Sequence, residues 1–391
     1  MMQHSRIVHL AVAVWCCTPL TAFSAPPVDL DVALSSVAVV NDNFYSRDIN
    51  SQNVTGAIVT PTIRLLRAGA QFNNSLLLSA SGGAFNSSSE DSFLDYLASA
   101  NSLWRGGYQS VEVNAAYQRG HDPFGEVRTE GDDSENRQLD LWTEARGRLK
   151  WRRDGQIRGS AFTEVDLSFF ERNYTTNEEI TAFLNREGYT AGAIIGLNLT
   201  AKTGVFTNLT YSALDFENEV GQFLRSGDTT AGLLGVRWQA TARTSGDVRL
   251  GYAERSDDSG FSLEASYWSA EITIQPTATD SVRVATNRTF DASYFSGTAF
   301  FDSMNHQLYW ERNWNERFVV TLGGEFRERE FIRSGTSDGD DLLLAQFRAE
   351  YTLDRGFSVF GRVRYVEREA TADTRDFDAS LVELGFDVSL N

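Results

Sequence analysis

The stretch "LDLWTEARGRLKW" (Leu139–Trp151) separates into two faces. Leu139, Leu141, Thr143, Ala145, Gly147, Leu149 and Trp151 fall on one; Trp142, Glu144, Arg146, Arg148 and Lys150 fall on the other. A period of two belongs to an extended strand, whose successive side chains point to opposite sides. The same division recurs outward from here. "QIRGSAFTEVDLSFF" sets Ile157, Ala161, Val165, Leu167 and Phe169 against Arg158, Ser160, Glu164 and Asp166. "LLLAQFRAEYTL" sets Leu343, Ala345, Phe347, Ala349 and Tyr351 against Gln346, Arg348, Glu350 and Thr352. "FSVFGRVRY" sets Phe357, Val359, Val363 and Tyr365 against Ser358, Arg362 and Arg364. Each run is about ten residues or longer, whereas globular strands average about five or six. Helical periodicity is nearly absent.

The connections alternate in length. Short turns fall at 67–71, 105–107, 152–155, 201–204, 242–247, 276–280, 313–317 and 354–356, with longer polar loops such as 119–138, 171–187 and 333–341 between them. Eight short turns and nine long loops join eighteen strands. Long strands, an even count, and short turns on one side with long loops on the other are the marks of a transmembrane barrel. A β-sandwich has no reason to alternate its turns. The pattern predicts an all-β fold, a transmembrane antiparallel up-and-down β-barrel of about 18 strands. Trp104, Trp151, Trp238, Trp310 and Trp314 all fall at or near short turns, where an interfacial girdle belongs. The strands around Trp268 and His306 alternate poorly and read as bulged.

The N-terminal "MMQHSRIVHLAVAVWCCTPLTAFSA" carries Arg6, an apolar run and a small-x-small cut at Ala22-Phe23-Ser24, the pattern of a secretory signal peptide. The expected division is a signal peptide over 1–24 and an outer-membrane barrel over 25–391. The two cysteines, Cys16 and Cys17, lie inside the expected leader. Disulfides, zinc–thiolate sites and cysteine nucleophiles therefore fall away for the mature chain. No later apolar run approaches the roughly 18 residues of a spanning helix.

Charge and motifs exclude further classes. With 35 Lys+Arg against 53 Asp+Glu, the net charge is −18, a poor match for nucleic acid. Lys150 and Lys202 are the two lysines, so the cations are mostly arginine, the better former of partly dry ion pairs. His121 and His306 sit in no metal-ligand spacing, and neither GxSxG nor a P-loop occurs. No cofactor is expected, nor an enzyme; His306 near Ser303 is the one weak lead.

The charged faces are the candidate site. Glu144, Arg146, Arg148, Arg158, Glu164 and Asp166 form one lumen-facing patch; Glu325, Arg327, Arg348, Glu350, Arg362 and Arg364 form a second. They read either as a wetted lumen steadied by cross-strand pairs or as an arginine ladder steering an anionic or polyhydroxylated solute. Phe162 and Phe206 add inward aromatics for weak sugar contacts. In loop 119–138, Pro123, Phe124 and Gly125 stand in an order similar to the acidic Pro-Glu-Phe-Gly loop of trimeric diffusion porins. The acidic residues after them (Glu126, Glu130, Asp132, Asp133 and Glu135) suit a pore-gating loop or a cation-bridged contact with lipopolysaccharide equally well.

The N-terminal third carries a resemblance. "VNDNFYSRDINSQNVTGAIVTPTIRL" (Val40–Leu65), with Asp42, Asn43, Phe44 and Pro61, precedes "NNSLLLSASGGAFNSSSEDSFLDYLASANSLW" (Asn73–Trp104) with its "DSFLDY" run into the fourth strand. This series resembles an outer-membrane β-barrel porin family found in exopolysaccharide biosynthesis and export clusters, including exosortase-linked ones. The remainder matches in strand rhythm. The resemblance implies a barrel of about eighteen strands, without catalytic residues, proposed to pass a secreted polysaccharide.

The chain ends "ELGFDVSLN" (Glu383–Asn391), which alternates almost to its last residue. Glu383, Gly385, Val388 and Leu390 resemble the last-strand signal read by the outer-membrane assembly machinery, with Leu390 in place of the usual aromatic and Asn391 added. This strand is expected to close the barrel against the first, near "VDLDVALSSVAVV" (Val28–Val40). Expected partners are outer-membrane lipid and lipopolysaccharide, the assembly machinery, a polysaccharide and periplasmic export proteins, and no nucleic acid. The expected function is a passive exit channel for an exopolysaccharide in the bacterial outer membrane. The rivals are a diffusion or uptake porin and a structural or adhesive barrel with a plugged lumen.

Overall fold

Eighteen antiparallel strands close on themselves. The computed structural model describes residues 28–48, 50–124, 138–155, 158–218, 224–241, 243–293, 298–332, 338–371 and 375–390; the expected leader, Ile157 and the acidic run 125–135 lie outside them. The strands are β1 (Asp29–Asn41), β2 (Val54–Ala68), β3 (Phe72–Phe85), β4 (Phe93–Gly106), β5 (Gln109–His121) and β6 (Leu141–Asp154). There follow β7 (Ala161–Tyr174), β8 (Arg186–Thr200), β9 (Thr203–Phe216), β10 (Gly227–Thr241), β11 (Thr244–Asp257) and β12 (Ser262–Ile274). The last six are β13 (Asp280–Ala292), β14 (Phe300–Asn313), β15 (Phe318–Ile332), β16 (Gly339–Asp354), β17 (Phe357–Ala370) and β18 (Phe377–Leu390).

Each strand pairs with its chain neighbours, and β18 returns to β1 from Val32↔Leu390 to Asn41↔Leu381. Lipid offers no partners to a bare edge, so closure satisfies the backbone. No helix of the described residues is long and apolar enough to cross a membrane; the strands do the crossing.

All eight short connections fall at one end, from 69–71 to 355–356. At the other end length varies more than expected: 122–140 is long, but 258–261 is as tight as a turn, with Gly260 at φ 87°. Register shifts sit beside the short turns, at Asn198/Thr200, Trp238/Thr241 and Thr352/Asp354. This corrects the expected bulges. His306 pairs regularly with Thr286 and Phe326. Near Trp268 the fault is a ladder that stops: β12 and β13 pair only from Ser269↔Asn287 to Ile274↔Val282.

The outward face is apolar, with Leu234 70% and Leu250 62% exposed. Trp104, Trp151, Trp238 and Trp310 stand within three residues of the ends of β4, β6, β10 and β14, and Trp314 follows β14 in its turn. They gather at the short-turn end, where an interfacial aromatic belt belongs.

Inside, aromatic rings occupy the space above glycines directly opposite them on the next strand. Phe162 covers Gly196, Phe206 covers Gly235, Tyr309 covers Gly323 and Phe360 covers Gly385. On the outer face, with Leu149 and Leu167, Phe169 covers Gly147 in the same way. At Gly385 a Cβ would stand 2.6 Å from Phe360 Cζ. Glycine in these strands marks a close approach, and the ring shields the backbone that glycine leaves bare.

Candidate functional site

The inner wall is built from ion pairs. On β6 and β7, Arg148 Nε donates to Asp166 at 2.8 Å, Lys150 meets Glu164 at 2.7 Å, and Glu144 accepts from Arg172 at 2.7 Å while also pairing with Arg146. On β15 to β18, Arg327 meets Glu325 at 2.7 Å, Arg348 meets Glu350 at 2.8 Å, and Arg362 donates to Glu383 at 2.7 Å. Some of these contacts cross between strands, with Glu144 opposite Arg172 and Arg362 opposite Glu383. Arg146 with Glu144, Arg327 with Glu325 and Arg348 with Glu350 instead join residues two apart on one strand. Arg364 lies on the same face of β17 and lines a hollow at the mouth with Phe44 and Phe85. Arg158 differs. It is exposed in the connection 155–160, because β7 begins only at Ala161.

Two expectations need correction. Phe162 and Phe206 point inward but are 1% and 5% exposed, so they present no surface to a sugar. The Arg237 guanidinium lies 3.6 Å over Phe162, and Arg249 lies 5.4 Å over Phe206. Arginine heads, not rings, meet the lumen there, beside a hollow of about 910 Å³ that Arg152, Asp154, Asp247 and Glu271 also line. Second, Ser303 and His306 stand an odd number of residues apart on β14 and face opposite ways. Ser303 is buried, and His306 Nδ1 bonds Thr286 Oγ1 at 2.9 Å. Among the described residues no cluster of His, Cys, Asp and Glu could hold a metal ion.

The long-loop mouth holds residues that sequence reading noticed separately. Asn43 donates to the Arg47 and Asp378 carbonyls, both at 2.8 Å, pinning loop 42–53 to β18. Asp42 accepts from the Ser380 amide at 2.6 Å. Phe44 packs on Phe85 and Phe124, with ring centroids 4.8 and 5.6 Å away. Tyr45 packs on Phe124 at 4.9 Å and donates to Asp91 at 2.8 Å. Burial pushes the Tyr45 phenol above its usual range, and the Asp91 hydrogen bond adds to this. Phe93 lies against His121, which bonds Asp95 at 2.9 Å. The Asp-Asn-aromatic segment, "DSFLDY" and the start of "DPFGE" therefore meet in one aromatic cluster.

Asp122, two residues before Phe124, belongs to a neighbouring cluster of Trp142, Tyr174 and Leu184. It accepts from Trp142 Nε1 at 2.8 Å and from the Tyr174 hydroxyl at 2.7 Å. Burial raises its carboxyl above the ordinary value, against the opposing pull of Tyr174, Arg172 and Trp142. Sequence reading placed Trp142 on the charged face but missed Asp122, whose partners come from two other segments. Of the last-strand residues, Glu383 and Gly385 share the inner face, whereas Val388 and Leu390 stand outward, opposite Leu34 and Val32 of β1.

Several solved structures align with this chain. Pseudomonas aeruginosa OpdO aligns with a TM-score of 0.50 at 14% identity, covering 93% of this chain and 97% of that one. Acinetobacter baumannii OccAB3 gives 0.48 at 12% identity over 93% and 99%. The Neisseria meningitidis FrpB iron transporter (F3-3 variant) gives 0.48 at 10%, over 88% of this chain, which spans 62% of the transporter's length. At such identities the OpdO likeness shows fold alone. No curated protein matches. The family model described as Putative beta-barrel porin 2 matches residues 40–390. A closed eighteen-stranded barrel with an apolar outer face and a charged inner wall is an outer-membrane, porin-like channel rather than an enzyme, and the chain belongs to the Putative beta-barrel porin 2 family.

Proposed function

We propose that this channel passes a secreted polysaccharide outward by passive diffusion. The observation that carries the reading is the pairing of wall cations with carboxylates: Arg148 with Asp166, Lys150 with Glu164, Arg362 with Glu383. Paired charges cancel most of the field that would steer and hold an anion, yet keep a dense set of donors and acceptors at the wall. A polyhydroxylated chain needs such a surface, with many weak contacts and no deep well. Eighteen-stranded barrels are wide enough to enclose an aqueous passage.

The mouth cluster favours a second reading, uptake of small solutes through a narrowed opening, because Phe44, Tyr45 and Phe124 pack together there. Deleting the gene separates the two. Under the export reading one polysaccharide disappears from the medium while small-solute uptake is unchanged; normal secretion with impaired uptake selects the second.

A further inference from the structure

Among the described ladders, that between β12 and β13 stops half-way up the wall. Pairing ends at Ser269↔Asn287, but β12 continues upward to Ser262 and β13 to Ala292. The free stretch of β12 pairs with β11 as far as Ser256↔Ser262, and that of β13 pairs with β14 as far as Ala292↔Phe300. Both stretches are regular strand with one neighbour where each should have two.

The upper ends of β13 and β14 lie inside the wall. Phe300 of β14 is fully buried, and Arg255 of β11 stands 5.6 Å over its ring. Arg255 is on the inner face of β11: its pairing with Thr229 puts it opposite the side that carries exposed Leu250 and Leu234. A β14 residue can reach that face only from within the lumen. Ala231, Leu233 and Ala253, on the same inner face of β10 and β11, are buried too. Ala292 lines a hollow with Ser99, Asn101 and Arg148 from a distant part of the wall. The seam is thus lapped, with the tips of β13 and β14 tucked behind β11 and β12.

Side chains alone hold the lap. Arg288 donates to Ser266 at 3.0 Å, and Trp268 Nε1 to Thr286 at 3.3 Å. Tyr267, Phe290, Phe300 and Phe261 make a chain of ring contacts with centroids 5.5 to 6.4 Å apart. Bare strand edges are disfavoured in a bilayer, so the free edges of β12 and β13 have an alternative partner in each other.

We propose that the upper ends of β13 and β14 form a gate with two states: lapped inward, narrowing the lumen, and zipped onto β12, widening it. Zipping continues the existing register to Trp268↔Arg288, Tyr267↔Thr289 and Ala265↔Asp291, and replaces ring contacts by ladder hydrogen bonds. The gate depends on the barrel being a channel and not on its cargo.

The test uses the double variant Tyr267→Cys/Thr289→Cys in the full chain, whose native cysteines are Cys16 and Cys17. Directly opposite residues of a zipped ladder are close enough for a disulfide, whereas Tyr267 and Thr289 share no ladder pairing in the lapped state. Mild oxidation should form the bond in the folded protein, checked by its heat-modifiable gel mobility. Single-channel conductance in planar bilayers should then rise above the parent's main level, because the strand ends no longer occupy the eighteen-stranded lumen, and should fall back on reduction. Arg288→Ala, which removes the clasp without adding a bond, should raise the fraction of time spent in the larger conductance level. A bond that does not form in correctly folded protein overturns the proposal. So does a bond that forms without changing conductance, or an Arg288→Ala channel identical to the parent.

Discussion

Replacing Gly385 by Ala tests whether the last strand is fixed by packing. A Cβ there would lie 2.6 Å from Phe360 Cζ and 2.7 Å from the Ser36 carbonyl oxygen. The ring can swing; the carbonyl belongs to the closing ladder and cannot move without loosening it. Swinging Phe360 also disturbs Arg348, which sits 3.8 Å over that ring. Overpacking of this kind costs about 2 kcal/mol and a lost cation–π contact about 1 kcal/mol, so Gly385→Ala should destabilise by about 3 kcal/mol. Phe360→Ala alone should cost a similar amount, about 3 kcal/mol, by removing a buried ring. The double variant should fall short of the sum by at least about 1 kcal/mol, because the added methyl then meets no ring. Urea unfolding of the barrel refolded into phospholipid vesicles, followed by tryptophan fluorescence, measures all four corners. Additive costs would refute the argument. An unchanged stability with failed assembly in cells would move the role of Gly385 to recognition by the assembly machinery.

Other outcomes follow from the same structure. Asp122→Ala strands the Trp142 and Tyr174 donors and should loosen the mouth by about 2–4 kcal/mol, read as faster proteolysis of the long loops. Since burial raises the Asp122 carboxyl, folding favours its neutral form. Its contribution is full below the ordinary value near 3.8 and is lost as pH rises through the raised folded value. The Trp142 fluorescence, isolated by difference against Trp142→Phe, should follow that transition, and Asp122→Asn should abolish it. Arg362→Ser leaves Glu383 without its partner and should make the channel more cation-selective; Arg362→Ser/Glu383→Ser should restore the parent reversal potential. If the single variant leaves that potential unchanged, the pair does not border the ion path.

Much of the architecture was legible because a two-sided wall writes its two environments into alternate residues. Leu149 and Leu167 had to face lipid, so Arg148 and Asp166 had to face the other way. Alternation says nothing, however, about which residue of the next strand stands opposite. The cross-strand couples, Arg362 with Glu383 and Lys150 with Glu164, therefore appeared only with the register, whereas Arg327 with Glu325 and Arg348 with Glu350 stand two apart on one strand. The same limit hid the burial of Phe162 and Phe206 beneath arginines that come from β10 and β11. At Trp268 the sequence did signal trouble, since Ser262, Glu264 and Ser266 occupy positions where lipid-facing residues should be apolar. A bulge was the simpler explanation for weak alternation; a lapped wall produces the same weakness by giving β12 a different pair of neighbours. In the mouth, Asn43, Phe44, Asp91 and Phe124 could be noted as motifs, but their convergence depends on which strands adjoin.

The rings laid over glycines have a consequence for how the wall finds its alignment. A polar–apolar rhythm repeats every two residues, so a strand that slides by two along its neighbour keeps every side chain on the correct side. By that criterion the slid wall is as good as the true one. The ring–glycine couples remove the ambiguity. A slide of two between β7 and β8 would take Phe162 off Gly196 and set it against Ile194 or Asn198, where a side chain already fills the space. Repeated at β9–β10, β14–β15 and β17–β18, such couples work like teeth of unequal spacing, which mesh at one offset. Adding a methyl to any one of these glycines should therefore lower the yield of correctly aligned barrels as well as the stability of those that form.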